Sequence, residues 1–391
     1  MKSLYCAVLL VGMAVPSLAQ MYLLAGSPNS MNGWSVASDL FEVQAGGDLR
    51  LAARLVPQKV GTEWIAVSYD WRKAVIVPGH NDNRVVVIDF DRADASRSCE
   101  LPAFSDGHLA EQWLADLPGV GQSFVGHTAG TRDHLYAIKL DASTPCVDSV
   151  VEADPSAVRY VEASGRAGVA SLGVQEGILV GIDAEGAVFG WRMGTKTPLG
   201  YSVPADLRAG FGKPNVLIVA NTRQVLVLGL YQKEAGYRIL ALSKATGGWH
   251  TIPVATDPYW CVRAFGGFVA IAEARNRQGH EKEFQSAGKP GWRTKSTAYG
   301  PIIGSIIEGA SAAFTGRLHL YDVDHGRLFT ITTDQADSEV LLIDGQTVYY
   351  RVVDSLYSAD VTDKGIQGQR LILKSDVIDD VHWAFMGRAG R

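Results

Sequence analysis

Imidazole, carboxylate and guanidinium side chains recur in the polar stretches that separate apolar runs of this chain. The densest are His80-Asn81-Asp82-Asn83, His127 with Arg132-Asp133-His134, and the long run from Arg275 through Arg277 and His280 to Lys282; Asp106-Gly107-His108 and Asp257-Pro258-Tyr259-Trp260 lie between other runs. Neutral imidazole binds divalent metals and titrates near neutral pH, so a metal or general-base set would be drawn from His80, His108, His127, His134 and His280. Their spacing matches no metal motif, and solvated loop residues are the expected outcome. Arg275 and Arg277 carry guanidinium forks suited to carboxylate or phosphate, which makes the run to Lys282 a candidate anion-binding lid. Long polar loops in compact domains are disproportionately functional. Tyr259 and Trp260 offer a stacking platform, although aromatic residues that open a strand more often pack between sheets.

Recognised catalytic signatures are missing. The chain has no GxSxG elbow, P-loop, HExxH, EF-hand loop or CxxCH haem attachment. Asp379 and Asp380 are adjacent, and neighbours on a strand point to opposite faces, so the pair is expected in a turn.

The elements that must hold these loops repeat along the chain. The clearest unit has four short apolar stretches: Trp64–Ser68, Ala74–Val77, Arg84–Asp89 and Ser98–Pro102. Its third stretch recurs at Leu40–Val43, Leu135–Ile138, Ala187–Trp191, Arg238–Leu242, Leu318–Tyr321 and Leu356–Ala359. Successive starts lie 44–52 residues apart from Leu40 to Arg238, close to the period that marks propellers and solenoids. A weaker copy, Glu281–Phe284 followed by Trp292–Thr294, would fill the gap between Arg238 and Leu318. A four-stranded meander cannot bury both faces alone, so such units stack face to face, and a ring leaves no long exposed edge. The expected fold is an all-β propeller of four-stranded blades, eight with the weak copy and seven, the alternative, without it. Val381–Met386 resembles a lone inner strand, and Met21–Leu24 with Leu40–Leu55 a blade lacking its first strand; pairing them would lock the ring. One departure is expected: Asp106 to Gly119 reads as a short helix on the rim, with Leu109, Trp113 and Leu114 on one side.

The first nineteen residues, with Lys2, the apolar run Leu4–Val15 and the small residues before Gln20, have the form of a secretory signal cleaved after Ala19. Residues 20–391 would then form a single soluble domain, secreted or periplasmic, without a transmembrane segment and expected to be a monomer. Loss of Lys2 takes the formal charge from -5 to -6, which argues against nucleic acid as a partner. Without Cys6, the cysteines are Cys99, Cys146 and Cys261, an odd set with no CxxC pair, expected as packed thiols.

The unit Ile65-Ala66-Val67-Ser68-Tyr69-Asp70-Trp71-Arg72-Lys73-Ala74-Val75-Ile76-Val77, followed by Asn81-Asp82-Asn83-Arg84-Val85-Val86-Val87-Ile88-Asp89, is similar to the repeat of the YVTN/NHL-like and lactonase-like β-propellers. That repeat carries Pro and Gly where this chain has Tyr69 and Trp71, so its tight turn is altered here. The resemblance implies the fold and an extracytoplasmic setting. It covers binding scaffolds, lactonases and cofactor-binding proteins alike and transfers no activity.

In such blades the loops from strand two to three, and from strand four to the next blade, emerge on one face. His80, Asn81, Asp82, His127, Arg132, His134, Tyr259, Trp260, Arg275, Arg277 and His280 are the candidate ligand-binding residues of that face. The expected role is a non-enzymatic binding or scaffold module for an unidentified protein or small-molecule ligand. No cofactor is indicated. The alternative is a lactonase-type hydrolase in which His80, Asn81, Asp82, Asp106 and His134 hold a divalent metal at the channel mouth.

Overall fold

The computed structural model describes residues 20–26, 37–54, 62–67, 73–78, 84–90, 96–100, 109–117, 121–128, 135–139, 150–152, 169–175, 178–183, 185–192, 195–208, 216–232, 236–254, 262–275, 295–297, 300–302, 313–333, 335 and 338–387. They form thirty β-strands and one 3-10 helix. Sheet 1 contains β1 (Met21–Gly26), β2 (Ala37–Val43) and β3 (Leu49–Arg54). Sheet 2 is β4 (Thr62–Val67), β5 (Lys73–Pro78), β6 (Arg84–Asp89) and β7 (Ser96–Glu100). Sheet 3 is β8 (Leu109–Leu117), β9 (Gly121–Thr128), β10 (Leu135–Lys139) and β11 (Val150–Glu152). Sheet 4 is β12 (Val169–Gln175), β13 (Ile178–Asp183), β14 (Ala187–Arg192) and β15 (Thr195–Ser202). Sheet 5 is β16 (Val216–Asn221), β17 (Val225–Gln232), β18 (Gly236–Ser243) and β19 (Trp249–Ile252).

Sheet 6 is interrupted. It joins β20 (Val262–Phe265) and β21 (Phe268–Arg275) to β24 (Ala313–Asp322) and β25 (Arg327–Thr332), with the small hairpin β22 (Lys295–Thr297) and β23 (Gly300–Ile302) between its halves in sequence. Sheet 7 is β26 (Ser338–Asp344), β27 (Thr347–Val352), β28 (Ser355–Thr362) and β29 (Gly365–Lys374). After the 3-10 helix Asp376–Asp380, β30 (Val381–Met386) returns to sheet 1, whose order is β3-β2-β1-β30. All the strand pairs among the described residues are antiparallel, and apart from β1–β30 and β21–β24 they join strands consecutive in the chain.

Among the residues whose side chains are described, neighbouring sheets bury apolar faces against one another. Leu24, Leu40, Ile88, Phe90 and Phe385 join sheets 1 and 2, with Phe90 and Phe385 stacked at 4.1 Å between centroids. Ile182 and Val188 pack on Leu226, Leu228 and Leu240 between sheets 4 and 5. Val227 and Ala241 pack on Val262 and Ile271 between sheets 5 and 6. Sheets 6, 7 and 1 share one core through Leu318, Leu320, Leu341, Leu356 and Leu23. The first strands lie side by side in the order β4, β8, β12, β16, β20, β26, β30. This is the layout of a β-propeller, with its core between blades.

One expectation changes. Asp106–Gly119 was expected to be helical, yet Leu109–Leu117 is β8, paired with β9 from Leu109↔Thr128 to Leu117↔Gly121. The described residues form seven four-stranded sheets and one two-stranded hairpin. The weak copy at Glu281–Thr294 lies outside the described residues, but it falls between β21 and β24, which pair directly with each other.

Candidate functional site

Most of the sequence-selected residues lie outside the described residues: His80, Asn81, Asp82, Asp106, His108, Arg132, His134, Tyr259, Trp260, Arg277 and His280. The backbone places two. His127 is in β9 rather than in a loop, opposite Leu135 of β10 and Glu111 of β8. Arg275 is the last residue of β21, opposite Ala313 of β24. Both sit where a second strand gives way to the third, the edge at which the sequence places the functional loops. Asp379 lies in the 3-10 helix, where it pairs with Arg351 rather than with a neighbouring carboxylate.

Sheet 6 gathers a further set of polar groups at that edge. Its second and third strands are in register from Phe268↔Asp322 to Ala272↔Leu318, and then Ala274 pairs with Phe314. Glu273 alone therefore stands opposite Thr315, Gly316 and Arg317, and the extra residues form a β-bulge, a device that re-aims side chains. Gly316 makes the bulge feasible. Its φ is +73°, and a Cβ there would stand 2.7 Å from the Gln335 carbonyl oxygen and 2.8 Å from that of Thr333. The Gly316 carbonyl accepts from the Thr333 N–H at 2.7 Å and from its hydroxyl at 3.0 Å, which pins the bulge to the following loop.

The side chains around the bulge are linked. The Glu273 carboxylate lies 2.9 Å from His319 Nε2, and His319 Nδ1 lies 3.0 Å from the Thr330 hydroxyl. Arg317 Nη1 stands 3.9 Å from the same carboxylate. A carboxylate cannot donate, so Nε2–H donates to Glu273, and in the tautomer with that proton alone Nδ1 accepts the Thr330 O–H. The arrangement couples a buried imidazole, only 9% exposed, to the hydroxyl of an exposed threonine and to a guanidinium that is 55% exposed. Strand alternation explains the burial: Leu318 and Leu320 enter the core toward sheet 7, while Tyr321 and its alternate His319 face sheet 5. Within Leu318-His319-Leu320-Tyr321 the histidine disappears into an apolar rhythm. The signals that could have found it are a polar residue at an alternating buried position and a glycine, Gly316, interrupting a strand.

Two other polar groups bind sheets together. Arg263 Nη1 donates to the Val340 carbonyl at 3.0 Å and Nη2 to Glu339 at 2.5 Å, while Arg351 approaches Glu339 and Asp379, each at 3.6 Å. Glu339 is thus held between two guanidiniums, both at most 5% exposed, which ties sheet 6, sheet 7 and the 3-10 helix. At the opposite end of the strands, Ser243 donates to Asp324 at 2.6 Å and Thr222 to the Gly266 carbonyl at 2.8 Å, linking sheets 5 and 6. Among the described residues no three His, Cys, Asp or Glu side chains are grouped to hold a metal ion. No helix among them is long and apolar enough to cross a membrane.

No family model matches the chain, and no curated protein matches it. Among solved structures it is similar to apo AztD from Citrobacter koseri, with 9% identity, a TM-score of 0.46 and coverage of 95% of this chain and 99% of that one. It is also similar to BamB from Moraxella catarrhalis, with 10% identity, a TM-score of 0.37 and coverage of 90% and 88%. The computationally designed Ika8 protein matches with 12% identity, a TM-score of 0.41 and coverage of 93% and 96%.

Proposed function

We propose that residues 20–391 form one exported propeller of seven blades, closed by β30, that binds a carboxylate-bearing ligand or acidic protein segment at the face where second strands meet third strands. The observation that carries this reading is the bulged edge of sheet 6, where Arg317 is presented beside Glu273 and His319, and Arg275 ends the neighbouring strand. Guanidinium forks match carboxylates in a bidentate geometry; Arg317 offers one at this edge, and the backbone ends β21 on a second arginine, Arg275. A rigid ring with polar loops at one face suits binding and scaffolding, and the candidate loops carrying Arg132, Arg277 and His280 would extend the same surface. Export follows from the signal-like leader, and a secreted or periplasmic location from export.

Titration calorimetry with citrate and with a glutamate-rich peptide tests the assignment. Binding of at least one probe is expected, weakened about tenfold or more when Arg275 and Arg317 are both replaced by alanine, since each charge-assisted hydrogen bond contributes about 1.5–3 kcal/mol. Absence of binding to either probe, or equal binding by the double variant, overturns it. Preference for the peptide would mark a protein partner, and preference for citrate a small molecule.

A further inference from the structure

We propose that Thr330 is a nucleophile for small acyl esters, with His319 as its general base and Glu273 as the positioning residue. The inference uses the same edge of sheet 6 as the proposed carboxylate site but requires neither carboxylate binding nor a metal. It rests on three facts of geometry. The hydroxyl of Thr330 lies 3.0 Å from His319 Nδ1, the opposite ring nitrogen lies 2.9 Å from the Glu273 carboxylate, and the hydroxyl belongs to an exposed residue while the imidazole is buried. Nucleophile, base and orienting carboxylate thus follow one another at hydrogen-bond distance, the relation by which activated hydroxyls are recognised irrespective of fold. The bulge at Gly316 accounts for the placement of Glu273, because an unbroken ladder would have paired it directly with Arg317. Arg317, which pairs with Thr332 on the same sheet and is half exposed, supplies a cation toward which the carbonyl oxygen of an ester can develop negative charge.

The chemistry balances without a cofactor. The Thr330 oxygen attacks the ester carbonyl carbon while its proton passes to His319 Nδ1, and the resulting imidazolium is stabilised through Nε2–H by Glu273. The bond to the leaving oxygen then breaks, and that oxygen takes the proton back from Nδ1. Water, deprotonated by the same nitrogen, then attacks the acyl carbon; the bond to the Thr330 oxygen breaks, that oxygen takes the proton back from Nδ1, and the carboxylic acid leaves, so ester and water give acid and alcohol. Thr330 lies on the outermost strand of sheet 6, β25, so an ester can approach from solvent without displacing the core.

The test uses the full mature chain with p-nitrophenyl acetate, following nitrophenolate release and locating acetyl groups by peptide mass spectrometry. An acetyl group on the peptide containing Thr330 is expected, and Thr330→Val should remove it and slow release about a hundredfold. Thr330→Ser should retain labelling. Glu273→Gln should lower kcat with little change in KM and displace the lower limb of the pH profile, which a purely structural carboxylate would not do. Thr330 is exposed, so the valine variant is expected to fold, and its circular dichroism checks this. Release at the wild-type rate by the valine variant, acetylation confined to lysines, or neither release nor label from folded wild-type protein would each overturn the assignment.

Discussion

Sheets 1 and 6 depart from the simple meander in opposite ways. Sheet 1 is assembled from the two most distant parts of the described chain, with β1 flanked by β2 on one side and by β30 on the other. The seam between β1 and β30 is apolar: Leu23, Leu24, Ala384 and Phe385 are fully buried. Sheet 6 is local in its first hairpin, then opens between β21 and β24 for a long insertion, and carries its polar network beside that opening. Where the pairing is most non-local, burial has to be nearly complete, because loop-closure entropy must be offset by contacts formed late. The interrupted sheet has no such demand at its open end, and polar chemistry can be accommodated there.

The largest expected effect tests that contrast directly. Deleting residues 381–391 removes Trp383, Ala384 and Phe385 from the core and uncovers one edge of β1. Losing several large buried side chains at roughly 3–5 kcal/mol each exceeds the typical stability of a domain, so no cooperative thermal transition should survive in circular dichroism. The matching change in sheet 6 should be mild. Arg275 and Ala313 already pair, so replacing residues 276–312 by an Asn-Gly turn asks only for a two-residue hairpin, and the midpoint should stay within about 5 °C. Collapse of the shortened chain, or folding of the truncated one, would reverse the comparison.

Single substitutions sharpen it. Phe385 is fully buried and stacked on Phe90, and Phe385→Ala should cost about 3–5 kcal/mol in urea unfolding. Gly316→Ala should cost less, about 1–3 kcal/mol, from a left-handed backbone and the collision of the new methyl with two carbonyl oxygens. The second variant should also separate Glu273 from His319, visible as a changed histidine ring signal in NMR, whereas Phe385→Ala should leave that signal in place.

The frame was legible because its determinants are local. Every third-strand segment chosen from the sequence, from Leu40–Val43 to Leu356–Ala359, lies in the third strand of its sheet, and Val381–Met386 pairs with Met21–Ala25. Alternation and turn residues act within a few positions, and so survive without tertiary information. The segment 109–117 misled because two periods fit it: Leu109, Trp113 and Leu114 suit a helix, but Leu109, Trp113, Ala115 and Leu117 alternate equally well, and pairing to β9 decided for the strand. Glu281–Thr294 lies outside the described residues, in the stretch of sequence between β21 and β24. The polar network was missed for a related reason. Loop histidines attract attention, while His319 lies between leucines and gains its partners from β21 and β25, neither adjacent to it in sequence.

The smallest effect is a titration that touches both sheets and the one packed between them. Burial raises the Tyr22 phenol in sheet 1, Glu42 adding to the effect and Arg50 opposing it; burial and then Asp322 raise Tyr321 in sheet 6. In sheet 7, burial and next the Tyr357 phenol, stacked at 5.5 Å, push Tyr350 up to about 12. A phenol whose folded pKa exceeds its unfolded value of 10.0 binds its proton more tightly in the native state. Its contribution is therefore complete below pH 10 and is lost as the pH rises toward 12. At pH 11 Tyr350 alone should lower stability by about 1 kcal/mol relative to pH 8. Tyr350→Phe should flatten that part of the urea-midpoint curve, while Tyr22→Phe and Tyr321→Phe flatten it less. An unchanged slope in Tyr350→Phe would mean that the ring between sheets 6 and 1 is already hydrated, and that the shared core is less continuous across this junction than across the seam made by β30.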